Sequence, residues 1–366
     1  MLRGFLRAVR FQRGWKTRAP EVEASEVEVP CPGGTVPATL FRPPGSTSEL
    51  PGWVCLHGIT RPGRNHPTLL RFVRALACSG SAVLLPEIRE WTELDLAPER
   101  AGEVLDGSIR TLAERREVVG RRLGAIGFSF GAPQVLLAGA NPELAPYLGA
   151  VVGFGSYAEL ERTLRFLFLG KHEWNGTRYA VDPDPYGRWV VTGNYLTRVA
   201  DFSEADDVAQ GLLRLARAAG DEQVGAWEDV YDSLKAELEQ DVAPDRRPLF
   251  RALATSGAVD EAELPAVEMA KDLAEAATHI SPILDFRERL DGIRVPVRLI
   301  HGRQDRLIPF TETLRLARSL SPGTDLKVFL TGMFSHSQRD AARALLWEAR
   351  ERIRFLYLMS EILGLL

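Results

Sequence analysis

Cysteine is scarce: the 366 residues hold three, Cys31, Cys55 and Cys78. None stands in a C-x-x-C pair, so neither a disulfide framework nor a cysteine-based zinc site is supported. Three scattered thiols read as free thiols in a reducing compartment, which puts the chain in the cytoplasm. Cys55 sits inside the apolar run Trp53-Val54-Cys55-Leu56 and reads as a small buried hydrophobe. An excess of positive charge is missing too. A formal net charge of −4 leaves no overall basic surface for counterion-driven binding, so no nucleic-acid partner is expected. No apolar run approaches a membrane span. What is present is ordinary: 45% hydrophobic and 26% charged residues, the proportions of a packed globular protein and not of a disordered one.

The first residues lack acid entirely. Met1 to Arg18 carries Arg3, Arg7, Arg10, Arg13, Lys16 and Arg18 with no aspartate or glutamate. Arginines interrupt each apolar stretch, which disfavours the continuous core of a secretory signal. Leu2, Phe5, Leu6 and Val9 fall at helical spacing, so residues 1–20 are predicted to form a basic amphipathic helix. Such a helix docks on the body of its protein or lies on an anionic membrane surface, docking being the commoner arrangement. A peripheral membrane contact is the second expectation for this segment.

Beyond it, Glu26 to Val29 and the alternating Val36, Ala38 and Leu40 read as two early antiparallel strands. Short continuous apolar runs follow at Trp53 to Leu56, Ala82 to Leu85, Leu123 to Phe128 and Ala150 to Phe154, with helical spacing between them, as in Leu69 to Ala77. Runs buried on both faces, alternating with helices, indicate a parallel sheet. After Phe154 the strand pattern stops. Residues 157–278 are charged, helix-rich and broken by Asn175-Gly176, Asp182-Pro183 and Asp184-Pro185, and they read as a helical cap inserted into the sheet. Strands resume at Val297 to Ile300 and Leu326 to Leu330. The expected organisation is therefore 1–20 as N-terminal helix, 21–156 and 279–366 as two halves of one α/β core, and 157–278 as the cap. The apolar tail Phe355 to Leu366 offers a surface for a homodimer.

Three motifs carry chemistry. Gly127-Phe128-Ser129-Phe130-Gly131 follows a buried strand and opens a helical pattern, which is the context a G-x-S-x-G elbow requires. The chain must reverse so sharply there that side chains at 127 and 131 would clash. The reversal lifts Ser129 above the sheet edge, and the helix that follows aims its N-terminal amides at the same point. Pro133 fits the first helical turn. Asp305 lies in the loop after Val297 to Ile300, and His336 a few residues beyond Leu326 to Leu330, so both fall at the carboxyl ends of strands, where open α/β sheets assemble their sites. The order serine, acid, histidine differs from the orders of chymotrypsin and subtilisin.

On these residues the chain resembles the α/β-hydrolase superfamily. The elbow at Ser129, His301-Gly302-x-x-Asp305 and Phe334-Ser335-His336 match the family pattern, as does His57-Gly58-Ile59 after the third strand. Within the superfamily the layout is similar to esterases and prolyl-oligopeptidase-like hydrolases with a helical cap. The resemblance implies an α/β-hydrolase fold: a mostly parallel eight-stranded sheet flanked by helices, with the cap inserted. It implies a serine hydrolase with Ser129 as nucleophile, His336 as general base and Asp305 as its orienting acid. The backbone N–H groups of Phe130 and Ile59 would hold the oxyanion. The expected substrate is a small-molecule acyl ester, with no metal and no organic cofactor; the same triad also serves peptidases, amidases and acyltransferases, and a non-catalytic binding protein is the less favoured reading.

For the substrate pocket the candidates are His57 and the aromatic stretch of the cap, above all Trp174, Tyr186 and Trp189. His57 and His301 read as braces of their loops, and His66 as a residue of the pocket mouth. His172 and His279 have no partner at metal-ligand spacing.

Overall fold

The computed structural model describes residues 2–17, 20–46, 49–119, 122–332 and 345–366. The chain opens with helix α1 (Leu2–Lys16), then strands β1 (Glu23–Cys31) and β2 (Gly34–Arg42), joined by a tight turn in which Pro32 precedes Gly33 at φ +84°. Next come β3 (Gly52–Leu56), α2 (Pro67–Cys78), β4 (Ala82–Pro86), the short α3 (Arg89–Thr92), α4 (Pro98–Ala113), β5 (Leu123–Phe128), α5 (Gly131–Ala140) and β6 (Leu148–Phe154). A long excursion follows: α6 (Leu160–Leu169), β7 (Lys171–Trp174), β8 (Thr177–Ala180), α7 (Pro185–Tyr195), α8 (Asp206–Glu222), α9 (Asp232–Asp241), α10 (Arg247–Ala254) and α11 (Ala266–Ile280). The chain then returns through β9 (Val297–Gly302), α12 (Phe310–Ser319), β10 (Leu326–Thr331) and α13 (Leu345–Leu363).

Eight strands form one sheet in the order β1-β2-β4-β3-β5-β6-β9-β10. β2 runs antiparallel to β1 and β4, and all pairings from β4 to β10 are parallel. This mostly parallel sheet with helices on both faces is the α/β-hydrolase fold that the motifs implied.

Why the helices lie where they do follows from strand pleating, which sends successive side chains to opposite faces. Trp53, Cys55, Val83, Leu85, Ile126 and Val152 point to one face, where they pack with Phe11 of α1, Phe72 and Leu76 of α2 and Met359 and Ile362 of α13. Their neighbours Val54, Leu56, Ala82, Leu84, Ala125 and Val151 point to the other, against Val104 and Ile109 of α4 and Val135 and Leu136 of α5. Both faces of the central strands are thus covered, which is why their sequences read as continuous apolar runs. Cys55 is fully buried on the first face, and burial pushes its thiol well above the ordinary range, so it stays protonated.

The N-terminal helix is docked. A Cβ on Gly4 would stand 2.6 Å from the Ser360 carbonyl oxygen, and one on Gly14 3.1 Å from Ala75 Cα, so α1 lies against α13 and α2 at distances only glycine allows. Between these contacts the buried Arg7 donates to the carbonyls of Leu363 (2.7 Å) and Leu366 (2.9 Å) and to Ser81 Oγ (2.8 Å). Burial, with Arg3 and Arg10 nearby, pushes its guanidinium down to about 10. Leu2, Phe5 and Leu6 remain exposed on the outer face. Among the described residues no helix is long and apolar enough to cross a membrane.

The excursion between β6 and β9 differs from its sequence reading in one respect. A two-stranded hairpin, β7 and β8, interrupts the helices, turning at Asn175 (φ +50°) and Gly176 (φ +76°). Two consecutive positive φ angles are what a two-residue hairpin turn needs, and Asn-Gly supplies them. Four-residue strands with no apolar run gave no signal of their own.

Arg7→Ala should orphan the carbonyls at the end of α13 and lower unfolding stability by about 2 kcal/mol. Urea midpoints for wild type and variant measure this. An unchanged midpoint would show that α1 contributes nothing through this clamp.

Candidate active site

The elbow at the end of β5 is shaped by two glycines. A Cβ on Gly127 would stand 2.1 Å from the Gly131 carbonyl oxygen, and one on Gly131 2.8 Å from the His57 carbonyl oxygen. Neither neighbour can move, since both are backbone. Between them Ser129 takes φ +52°, a left-handed conformation uncommon for a residue with a side chain and associated with functional strain. The turn is pinned from two sides: Ser129 N donates to the Phe154 carbonyl (2.7 Å), and Ala132 N to the Ser129 carbonyl (2.9 Å). α5 starts two residues later, so its N-terminus faces the serine.

Asp305 is fixed in the loop after β9. Its Oδ1 accepts from the amides of Leu307 (2.9 Å) and Ile308 (3.0 Å), and its Oδ2 lies 3.3 Å from His301 Nε2. The carboxylate is 4% exposed and lines the same cleft as Ser129. His301 Nε2 is also 2.8 Å from the Ile308 carbonyl, and its Nδ1 is 2.7 Å from Thr313 Oγ1. Both ring nitrogens are engaged, so His301 braces the aspartate loop. His336 lies outside the described residues.

A second brace holds the loop after β3. Nδ1 of His57 donates to the Gly58 carbonyl (2.7 Å), and Nε2 accepts from the Ile88 amide (3.0 Å). That pattern requires a neutral ring, and full burial agrees, pushing the imidazole down to about 4. Glu87 Oε1 lies 3.5 Å from Nε2, but with the ring neutral this is no ion pair. Arg64 holds Glu87 instead, at 3.3 Å, while burial raises the Glu87 carboxyl above its ordinary value and Arg64 partly offsets the rise. Gly58 is thereby pressed on Ser129, where a Cβ would stand 3.1 Å from the serine Cβ. A run of edge-to-face and stacked rings, His57–Trp91–Phe130–Tyr157, ties this loop to the elbow. Among the described residues nothing accepts a hydrogen bond from the Ile59 or Phe130 amide.

Ser129 opens into a cleft of about 750 Å³. Of the aromatic and histidine pocket candidates, His57 and Tyr186 line it, with the Tyr186 hydroxyl 3.4 Å from the Ile59 carbonyl oxygen; His66 lines it too. Trp174 and Trp189 do not. Trp174 ends β7, where its ring lies under the guanidinium groups of Arg318 (4.0 Å) and Arg315 (5.6 Å). Trp189 is wholly buried on α7, edge-on to Tyr231, so it belongs to the packing of the excursion.

Residues that sequence reasoning missed complete the cleft: Gln223, Trp227 and Glu228 after α8, and Trp15, Leu69 and Phe72 from α1 and α2. Glu87 and Arg64 were missed as well. Glu87 carried a usable signal, a carboxylate directly after a buried strand. Gln223 carried none, since its φ of +55° at the end of α8 is a property of the fold. Among the described residues no group of three or more His, Cys, Asp or Glu side chains could hold a metal ion.

No protein-family model matches the chain, and no curated protein matches it. Among solved structures it is similar to an esterase of Pyrococcus furiosus, at 14% identity over 93% of this chain and 91% of that one (TM-score 0.49). It is also similar to one of two fungal esterases from Rhizomucor miehei, at 14% identity over 98% and 90% (TM-score 0.48). A third is brefeldin A esterase, a bacterial homologue of human hormone sensitive lipase, at 17% identity over 99% and 83% (TM-score 0.46). Likenesses this distant carry no chemistry to the chain, and its fold rests on the strand order above.

The depressed imidazoles make stability pH-dependent. His57 and the half-buried His172, both lowered to about 4 by burial, stay neutral in the folded protein while the unfolded chain takes up protons below about 6.5. Stability should therefore be full above pH 6.5 and fall as the pH drops toward 4, with His57 responsible for about 3 kcal/mol. His57→Gln, neutral throughout, should be less stable at pH 7 yet lose less between pH 6.5 and 4. Parallel urea-midpoint curves for the two proteins would contradict this assignment.

Proposed function

We propose that the chain is a serine hydrolase that cleaves carboxylic esters through an acyl-enzyme on Ser129. The observation that carries this reading is the left-handed Ser129, held between two irreplaceable glycines at the floor of a cleft that Asp305 also lines. A backbone held in this way presents Oγ to whatever enters.

In this reading Ser129 Oγ attacks the acyl carbonyl while the base removes its proton. His336 is the base. His57 and His301, two of the histidines that line the cleft, have both ring nitrogens engaged and cannot accept that proton, which supports His336 over those two. Asp305, its Oδ1 held by two backbone amides, orients the imidazole and stabilises its cation. The tetrahedral oxyanion is held by the N–H groups of Phe130 and Ile59, each contributing about 3 kcal/mol to the transition state. The imidazolium then protonates the departing alcohol. Water, deprotonated in turn by His336, attacks the acyl-enzyme and releases the acid. The excursion between β6 and β9 acts as a cap: its Tyr186, Gln223, Trp227 and Glu228 form the side of the cleft that meets the substrate opposite the sheet.

Ser129→Ala should abolish turnover of a p-nitrophenyl ester and labelling by a fluorophosphonate probe. Asp305→Asn should retain labelling but lower kcat by about 10³- to 10⁴-fold. Wild-type turnover surviving in the serine variant would end this proposal.

A further inference from the structure

Part of the cleft lining is a run of apolar side chains: Phe128, Phe154 and Ile300 from the strand ends, Leu69 and Phe72 from α2, and Trp15 from α1. Phe128 immediately precedes Ser129. It stacks on Phe154 at 5.0 Å and meets Phe72 edge-on at 5.1 Å. From Phe72 the ring contacts continue to Phe11 (5.3 Å) and from Phe11 to Trp15 (6.4 Å). Phe11 is wholly buried, so this stretch of the ring path is core packing, and Trp15 reaches the cleft as a lining residue beside Leu69 and Phe72. It is pinned there, because Arg71 donates to its carbonyl at 2.7 Å and lays its guanidinium 4.4 Å above the ring.

We infer that this wall takes the acyl chain of the substrate, a linear aliphatic acyl group, and that Trp15 of the N-terminal helix sets the length accepted. The inference rests on the serine-hydrolase reading of Ser129 and goes beyond it by giving α1 a part in the site. An extended chain leaving the carbonyl at Ser129 meets only rings and methyl groups along this wall. Each methylene that finds room raises kcat/KM about four-fold, until the chain meets the indole.

Hydrolysis of p-nitrophenyl acetate, butyrate, octanoate and dodecanoate by the full chain tests the proposal. Trp15→Ala should raise the ratio of dodecanoate to butyrate kcat/KM by about ten-fold, and Leu69→Trp, which narrows the wall nearer the serine, should lower the octanoate-to-acetate ratio by a similar factor. Circular dichroism and thermal melting establish that each variant is folded, and Leu69→Trp decides alone if Trp15→Ala is not. If the wild type turns over esters and is labelled by fluorophosphonate, but both ratios stay within about two-fold of wild type in the folded variants, the acyl-wall assignment is overturned while the hydrolase reading stands. Absence of both turnover and labelling in the wild type would overturn the two together.

Discussion

The site depends on one backbone reversal. Between β5 and α5 the chain turns with no space for a side chain at Gly127 or Gly131, and Ser129 takes up the strain at φ +52°. The strain of a left-handed non-glycine residue is of the order of 1–3 kcal/mol and persists only where surroundings over-determine it. Here they do: β6 holds the serine amide, the His57 loop closes on Gly131, and Gly58 presses on the serine Cβ. The position of Ser129 is a property of three neighbouring strand ends.

The same strand ends organise the surroundings. His57 and His301 occupy related places, each at the carboxyl end of a parallel strand and each with both ring nitrogens bound to its own loop. Both histidines fix loops. The pleat of the sheet then assigns the helices: α4 and α5 cover one face, and α1, α2 and α13 cover the other. Because the second face ends at the cleft, its aromatic packing becomes a wall of the site.

Much of this was legible in the sequence, for identifiable reasons. The elbow at Ser129 and the post-strand position of Asp305 follow from local rules, glycine sterics and the continuous apolar runs of buried parallel strands. The spacing of Leu2, Phe5, Leu6 and Val9 marked the N-terminal helix but not its docked face, which is built from Gly4, Arg7, Ala8, Phe11 and Gly14 while Leu2, Phe5 and Leu6 are exposed. What escaped was set by tertiary contact. Trp174 and Trp189 look alike in sequence, yet one lies beneath two arginines and the other is interior. Trp15 reaches the cleft only because α1 packs on α2, and no periodicity records which helix a helix will meet. The β7–β8 hairpin was marked by Asn175-Gly176 alone, since its strands bury too little to show a pattern.

Arg7 joins positions 356 residues apart when it binds the Leu363 carbonyl. This clamp therefore cannot close until α13 has been synthesised. During translation Ala8 and Phe11 have no partner among the residues already made except those of α2 and the early strands, and the docking groove on α13 does not yet exist. Contacts of such separation form late and slowly, and the exposed apolar face is open to chaperones or to other chains in the interval. The Arg7 clamp is thus available only once α13 is present.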